Sequence, residues 1–162
     1  MTVVPYILYL LLVAAHVVIL RDLTTIYTAP LNLPALMVLL VALYKDDVQA
    51  TWFGFLVGLV MAAGGPPSEL GWQVLIMASL ALVSCFVRLR LNLDSLNAKL
   101  LFVLGGVMLH NLIVLIIDGT DGFLFYVGSN ALAGAVYTAV VAWLFFMIKE
   151  RRLTVARVRA LF

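Results

Sequence analysis

Six apolar runs, separated by short polar breaks, constrain the fold of this chain more than any other feature. A helix needs about 20 mostly apolar residues to cross the hydrocarbon core of a bilayer. The chain is 65% hydrophobic and 11% charged, whereas soluble domains are nearer to one half apolar and one quarter charged. The sequence therefore predicts an all-α fold, a polytopic membrane helical bundle with about six transmembrane helices. The runs cover residues 3–20, 31–44, 48–63, 71–87, 100–117 and 123–148.

The length of the chain leaves room for one bundle and for little else. We expect residues 1–148 of the 162 to form a single transmembrane bundle, and residues 149–162 to form a basic cytoplasmic tail. No basic residue precedes the first run. We therefore expect that run to be a retained span rather than a cleaved signal peptide.

The second and third runs are short for full spans. Residues 31–44 and 48–63 make helices of roughly 21 and 24 Å, against a hydrocarbon core of roughly 30 Å. Only Lys45, Asp46 and Asp47 separate them, so the pair is predicted to be a tight helical hairpin. The hairpin either spans with local thinning of the bilayer or is re-entrant, and the sequence leaves both open.

The distribution of cations predicts the orientation. If all six runs cross, nine of the ten Lys and Arg residues lie on one side and only Arg21 lies on the other. Because cytoplasmic loops carry the excess of Lys and Arg, both termini are expected to be cytoplasmic. The tail cations either contact the anionic inner leaflet of the lipid bilayer, at about 1 kcal/mol each, or only fix the topology, and no nucleic acid is expected as a partner. They are Lys149, Arg151, Arg152, Arg157 and Arg159.

Small residues mark one face of the third run. Ala50, Gly54, Gly58 and Ala62 recur at every fourth position and therefore share one helix face. In lipid, such a face lets another helix approach closely. It predicts a packing groove for a helix, either from this chain or from a partner protein. The break after the run, 64–67, reads Gly-Gly-Pro-Pro and ends the helix.

The sixth run carries a second such face. Asn130, Gly134 and Thr138 also recur at every fourth position, so we expect them to lie on one side of the helix. This side combines small residues with hydrogen-bonding groups, as interfaces between membrane helices do. The sequence predicts that it contacts another helix of the bundle or of a partner.

Three further polar residues lie inside the apolar runs. His16, His110 and Asn111 are expected at membrane depth, where an ionisable group is a functional candidate. Two histidines with no nearby Cys, Asp or Glu do not make a metal site, so hydrogen bonding between helices is the favoured role. Cys85 is the single cysteine and is expected to be a small buried side chain.

The inventory of chemical groups points away from catalysis. No Ser/His/Asp set, no pair of carboxylates in one span, no phosphate loop and no metal cluster is recognisable in the sequence. The stretch 118–122 reads Asp-Gly-Thr-Asp-Gly, but it lacks the distal Glu of a calcium loop, and a turn explains it better. We expect neither an enzyme nor a bound cofactor or metal.

Several soft motifs follow one another in a characteristic order. They are Pro30-x-Leu-x-Leu33-Pro, then Gly54-Phe55-Leu-Val-Gly58-Leu59, then Gly64-Gly65-Pro66 and Gly71. Together with the length, the six runs and the basic tail, their order resembles the MreD family of rod shape-determining membrane proteins. The resemblance covers nearly the whole chain. At Ala62, members of that family commonly carry an acidic residue instead.

The resemblance implies a function and a set of partners. It implies a non-enzymatic inner-membrane scaffold of the bacterial cell-elongation complex, which directs peptidoglycan synthesis in rod-shaped cells. The implied partner is MreC, followed by RodA with its partner transpeptidase, and indirectly the actin-like MreB. The implied location is the bacterial plasma membrane.

A second function is left open by the same resemblance. MreD is similar in fold to the substrate-binding components of energy-coupling-factor transporters, which take up vitamins. The alternative is therefore a membrane component that binds a small, vitamin-type molecule. Such a component needs an outward-facing pocket with several convergent polar groups, and the polar residues expected on the outer side are few.

Overall fold

The computed structural model describes residues 4–20, 25, 29–64, 70–119 and 122–149. The secondary-structure elements of this part of the chain are helices, which confirms the predicted all-α fold. The elements are α1 (Val4–Ala15, continued by a π-helical turn over His16–Leu20), α2 (Leu33–Tyr44), α3 (Asp47–Ala63), α4 (Leu70–Arg90), α5 (Leu96–Ile117), α6 (Phe123–Tyr126), a π-helical segment (Val127–Leu132) and α7 (Ala133–Lys149).

Three helical runs are long and apolar enough to cross a membrane. They are Gly71–Arg90, Leu96–Ile117 and the continuous run Phe123–Lys149, with 20, 22 and 27 residues. The runs around α1, α2 and α3 are apolar but shorter. Large apolar side chains such as Leu101 and Leu124 face outward, as they do in a protein surrounded by lipid. The helices therefore indicate a multi-pass membrane protein.

Helix α2 lies at the centre of the bundle. It packs against α3, α4 and α5, and every residue from Pro34 to Leu43 except Met37 is buried. A helix that is apolar on all sides is stable where other elements enclose it. Its central position therefore explains how a helix of only 12 residues persists in this fold.

The end of α2 is held by a cation from another helix. Arg88 on α4 donates from Nη1 to the carbonyl oxygens of Ala42 at 2.7 Å and of Lys45 at 2.6 Å. These carbonyls lack partners within the helix, and a positive charge is favourable at a helix C-terminus. Lys149, at the end of α7, places its ammonium 2.9 Å from the centre of the Tyr44 ring. We call this end of the bundle, where α2, α4 and α7 finish, the basic end.

The largest differences between the predicted runs and the helices are at two places. α4 continues to Arg90, beyond the predicted end at residue 87, because polar residues at a membrane interface do not stop a helix. α5 begins at Leu96 rather than at residue 100, because the Ser95 hydroxyl accepts a hydrogen bond from the Ala98 N–H at 3.1 Å and caps the helix. Of the predicted tail, residues 149–162, Lys149 ends α7 and residues 150–162 lie outside the described residues.

Candidate functional site

Most of the polar side chains predicted at membrane depth converge on the three residues that precede α2, Pro30–Asn32. His16 reaches this segment from the end of α1, His110 and Asn111 from α5, and Thr138 from α7. We call these four side chains together with Asn32 the Asn32 cluster. The cluster joins four separate parts of the chain and is the candidate functional site.

Asn32 caps α2 through its side chain. Its Oδ1 accepts a hydrogen bond from the Ala35 N–H at 3.1 Å, which satisfies one of the free N–H groups at the start of the helix. Pro34 occupies the first turn, where a residue without an N–H is tolerated and a fixed φ favours the helix. The sequence Asn-Leu-Pro therefore starts a helix at this point.

The cap fixes which way the Asn32 amide points. Because Oδ1 faces α2, Nδ2 faces α5, where it donates to Asn111 Oδ1 at 2.7 Å and lies 2.9 Å from His110 Nδ1. One side chain thus supplies an acceptor to its own helix and two donors to a neighbouring helix. Asn32 is therefore the residue that links α2 to α5.

Two other members of the cluster bind the backbone of the segment. His16 Nε2 lies 3.1 Å from the carbonyl oxygen of Leu31, and since a carbonyl only accepts, this nitrogen donates. The N–H of Asn32 donates to Thr138 Oγ1 at 3.1 Å. The hydroxyl of Thr138 in turn donates to the Gly134 carbonyl at 2.7 Å. The backbone groups of Leu31 and Asn32 that no helix satisfies thus find side-chain partners.

The shape of α7 allows the segment to come close. A Cβ atom added at Gly134 would lie 3.0 Å from the Pro30 carbonyl oxygen and 3.5 Å from Asn111 Nδ2. The absence of a side chain at Gly134 therefore leaves the space that the Pro30 carbonyl occupies. Gly134 and Thr138, predicted to share a face, do share it, and both are buried.

Asn130 does not join the cluster. It lies in the π-helical segment Val127–Leu132 and is half-buried. The Ala131 carbonyl faces α5 and accepts from Asn111 Nδ2 at 3.2 Å.

The length of α2 sets the depth of the cluster in a membrane. The 12 residues of α2 span roughly 18 Å, while the hydrocarbon core is roughly 30 Å thick. With Tyr44 at one boundary of the core, Asn32 lies about 12 Å inside the other boundary by the same dimensions. Non-helical backbone at this depth is tolerated only where protein groups satisfy it. The Asn32 cluster supplies those groups.

One hydrogen-bonding atom of the cluster has no partner. His110 Nδ1 lies 2.9 Å from Asn32 Nδ2, which only donates, and 3.3 Å from Asn111 Oδ1, which only accepts. The shorter contact makes Nδ1 the acceptor, which puts the ring proton on Nε2. His110 is 4% exposed, and its Nε2 is buried without a hydrogen-bond partner among the residues that the structure describes. The same residue lines a cavity of about 250 Å³ between α4 and α5. A buried N–H group is therefore available beside this cavity.

The small-residue face of α3 is occupied by α4. A Cβ atom at Gly54 would lie 2.5 Å from the Met77 carbonyl oxygen, and one at Gly58 would lie 2.5 Å from Val74 Cα. Ala50 and Ala62 on the same face are at most 3% exposed. Of the two occupants that the sequence left open, the structure therefore shows a helix of this chain. Lateral packing of a partner into this groove would require α4 to move away.

The other predicted residues have local roles. Cys85 is 2% exposed, as predicted, and its thiol lies 3.8 Å from the Ala42 carbonyl oxygen. Gly119 and Gly122 have φ values of 59° and 82°, in keeping with the turn predicted at 118–122. Among the residues described, no three His, Cys, Asp or Glu side chains come together as they would around a metal ion. Of the tail cations, Lys149 is described, and the four arginines lie outside the described residues.

Asn32 is the residue that sequence reasoning missed. Its segment was assigned to a loop, and its partners on α5 and α7 are 78 to 106 residues away along the chain. An Asn followed by Leu-Pro and an apolar run is a recognisable helix start. That signal identifies Asn32 as the cap of α2, but it does not identify the residues that the amide nitrogen of Asn32 contacts.

Comparisons with known proteins leave the chain without an assigned family. No protein-family model, no curated protein and no solved structure matches it.

Proposed function

We propose that this chain is a non-enzymatic membrane scaffold of the bacterial cell-elongation machinery, of the MreD type. The observation that carries the proposal is that the polar side chains of the Asn32 cluster bind groups of this chain. All five members of the Asn32 cluster make hydrogen bonds with one another or with the backbone of Leu31 and Asn32. Such groups stabilise a rigid bundle and leave little for a substrate.

The same observation weighs against the vitamin-binding alternative. A binding component of that kind needs several polar groups that converge on a cavity. Two cavities in the described residues lie between α4 and α5, and their linings are mainly apolar. The hydroxyl, amide and imidazole side chains in these linings are Ser84 and Asn92 in one cavity and Ser79 and His110 in the other, and two such groups per cavity are few for recognition of a polar vitamin.

The proposal includes an orientation. All six helical runs cross the bilayer, with the basic end at the cytoplasmic face and both termini cytoplasmic. Lys45, Arg88 and Lys149 lie together at the basic end, as cytoplasmic cations do. Exposed tryptophans lie near both ends, with Trp52 toward the basic end and Trp72 at the other, where membrane interfaces favour them.

Purification from native membranes tests the proposal. The tagged chain is extracted in a mild detergent, and the proteins and small molecules that remain with it are identified by mass spectrometry. We expect elongation proteins, with MreC first and RodA with its transpeptidase next, in amounts comparable to the tagged chain. A stoichiometric small molecule together with an ATP-hydrolysing transport module would contradict the proposal.

A further inference from the structure

We infer that the groove between α4 and α5 receives one transmembrane helix of a partner protein, and that this helix offers a hydrogen-bond acceptor to His110 Nε2. The inference rests on the proposed scaffold function, because it requires a membrane partner. It does not depend on which partner that is.

The groove runs across most of the bilayer. A cavity of about 410 Å³ begins at Leu91–Leu93 near the basic end, and the cavity of about 250 Å³ continues to Trp72 and Ile117 at the other end. The two cavities share the lining residues Leu80, Val83 and Leu109, so they form one groove. Along α5, the lining extends from residue 98 to 117, which is about 29 Å of helix.

The middle of the groove is open. A Cβ atom added at Gly105 would meet nothing within 4 Å, in contrast to Gly54 and Gly58 on α3, which α4 covers. Neighbouring helices α4 and α5 also contact each other much less than α3 and α4 do. A glycine on an open helix face lets the backbone of another helix approach closely.

A second and independent observation is the buried N–H group. His110 is 96% removed from solvent, and its Nδ1 is engaged by Asn32. Its Nε2–H has no acceptor within the described chain, although His110 lines the groove. A buried donor without a partner destabilises the fold. An acceptor brought by a ligand in the groove removes that penalty.

The length of the groove favours a helix over a lipid. One acyl chain covers a single leaflet, roughly half of the 30 Å core, whereas the groove continues through both halves. A transmembrane helix covers the whole length and carries its own acceptors, as Ser, Thr, Asn or Gln side chains do between membrane helices. We therefore assign the groove to a partner helix.

Site-specific photo-crosslinking in native membranes tests the inference. A benzophenone amino acid replaces Leu101 or Leu109 on the groove side of α5, and, as a control, Val140 on the exposed side of α7. The crosslinked peptides are sequenced by mass spectrometry. We expect an adduct with the transmembrane segment of one other protein from the two groove positions and not from Val140.

Two substitutions and one control then distinguish loss of the groove contact from loss of folding. Gly105→Leu fills the open space and should abolish the adduct. His110→Asn keeps an acceptor for Asn32 at the position of Nδ1 but removes the Nε2–H, and should weaken the adduct about 3- to 20-fold. Val140→Leu adds bulk on another face and should leave the adduct unchanged. In SDS titration of the purified variants, Gly105→Leu and Val140→Leu should keep the native unfolding midpoint, while the shift of His110→Asn measures the effect on the fold of removing the buried ring.

Each other outcome contradicts the inference. These outcomes are an adduct with phospholipid only, an adduct with a second copy of this chain, no adduct, or an adduct that survives Gly105→Leu. If the elongation proteins co-purify but crosslink only through other faces, the proposed function stands and the groove assignment fails. If the helix captured in the groove belongs to a protein of another system, the groove assignment stands and the proposed function fails.

Discussion

The substitution Asn32→Ser separates the two roles of Asn32. Serine is as good an N-cap as asparagine, so the cap of α2 is retained in the variant. The shorter side chain has no amide nitrogen, so the bonds to His110 Nδ1 at 2.9 Å and to Asn111 Oδ1 at 2.7 Å are lost. The variant therefore reports on the link between α2 and α5 alone.

The size of the effect follows from these two bonds. A hydrogen bond between membrane helices contributes about 0.6 kcal/mol on average and up to about 1.7 kcal/mol. Loss of both bonds should therefore lower the free energy of unfolding by about 1–3 kcal/mol. The upper part of the range applies because His110 and Asn111 are left without their partner in a buried place, which adds a desolvation penalty.

The reciprocal swap at the cap of α5 is the matched control. Ser95 caps that helix with a bond of 3.1 Å to the Ala98 N–H, at an exposed position. Ser95→Asn exchanges the same two residue types at a cap that is exposed to solvent. It should change the free energy of unfolding by less than about 0.5 kcal/mol. Both variants are measured by reversible unfolding in mixed lipid and SDS micelles. Equal effects of the two swaps would refute a linking role for Asn32.

Three further changes test the packing, the basic end and the orientation. Gly58→Ala should destabilise the protein by about 1–3 kcal/mol, because the added methyl meets the α4 backbone, whereas Gly105→Ala in open space should be neutral or slightly stabilising in the same titration. Arg88→Ala should lower stability by about 1.5–3 kcal/mol through loss of two bonds from a charged donor, and Arg90→Ala by less than about 1 kcal/mol, since its contact is an exposed ring. A cysteine in place of Asp118 should react from outside intact cells with a membrane-impermeant maleimide.

For each of these three predictions, one result would contradict it. Similar stabilities of the two glycine variants would mean that α3 and α4 are not in close contact. Similar stabilities of the two arginine variants would mean that Arg88 does not hold the end of α2. Reaction at position 118 only after permeabilisation would reverse the orientation; the native thiol of Cys85 is buried and gives little background.

The apolar pattern predicts the helices because burial in lipid or protein follows from it directly. All six helical runs fall within a few residues of the predicted ones. The differences occur where a local polar group decides the boundary, as at Ser95. The sequence is also consistent with the burial of α2 on all sides, because its run contains no polar residue between Pro34 and Tyr44.

The sequence does not predict which residues the predicted faces and polar groups contact. Ala50, Gly54, Gly58 and Ala62 predict a close contact, but their spacing does not say which helix makes it. Which residues meet at Asn32 is equally hidden, because the contacts join parts of the chain far apart in sequence. The face predicted on α7 includes Asn130, which lies in a π-helical segment that no residue pattern indicates.

The central claim is that polar side chains hold non-helical backbone inside the membrane at Pro30–Asn32. Hydrogen exchange of the Asn32 N–H, followed by NMR in lipid nanodiscs, tests it most directly, because that N–H donates to Thr138 Oγ1. We expect strong protection in the native chain, and faster exchange at Asn32 in Thr138→Val, while amides in the middle of α5 stay unchanged. Exchange of the native Asn32 N–H as fast as that of the exposed Asn92 N–H would contradict the claim.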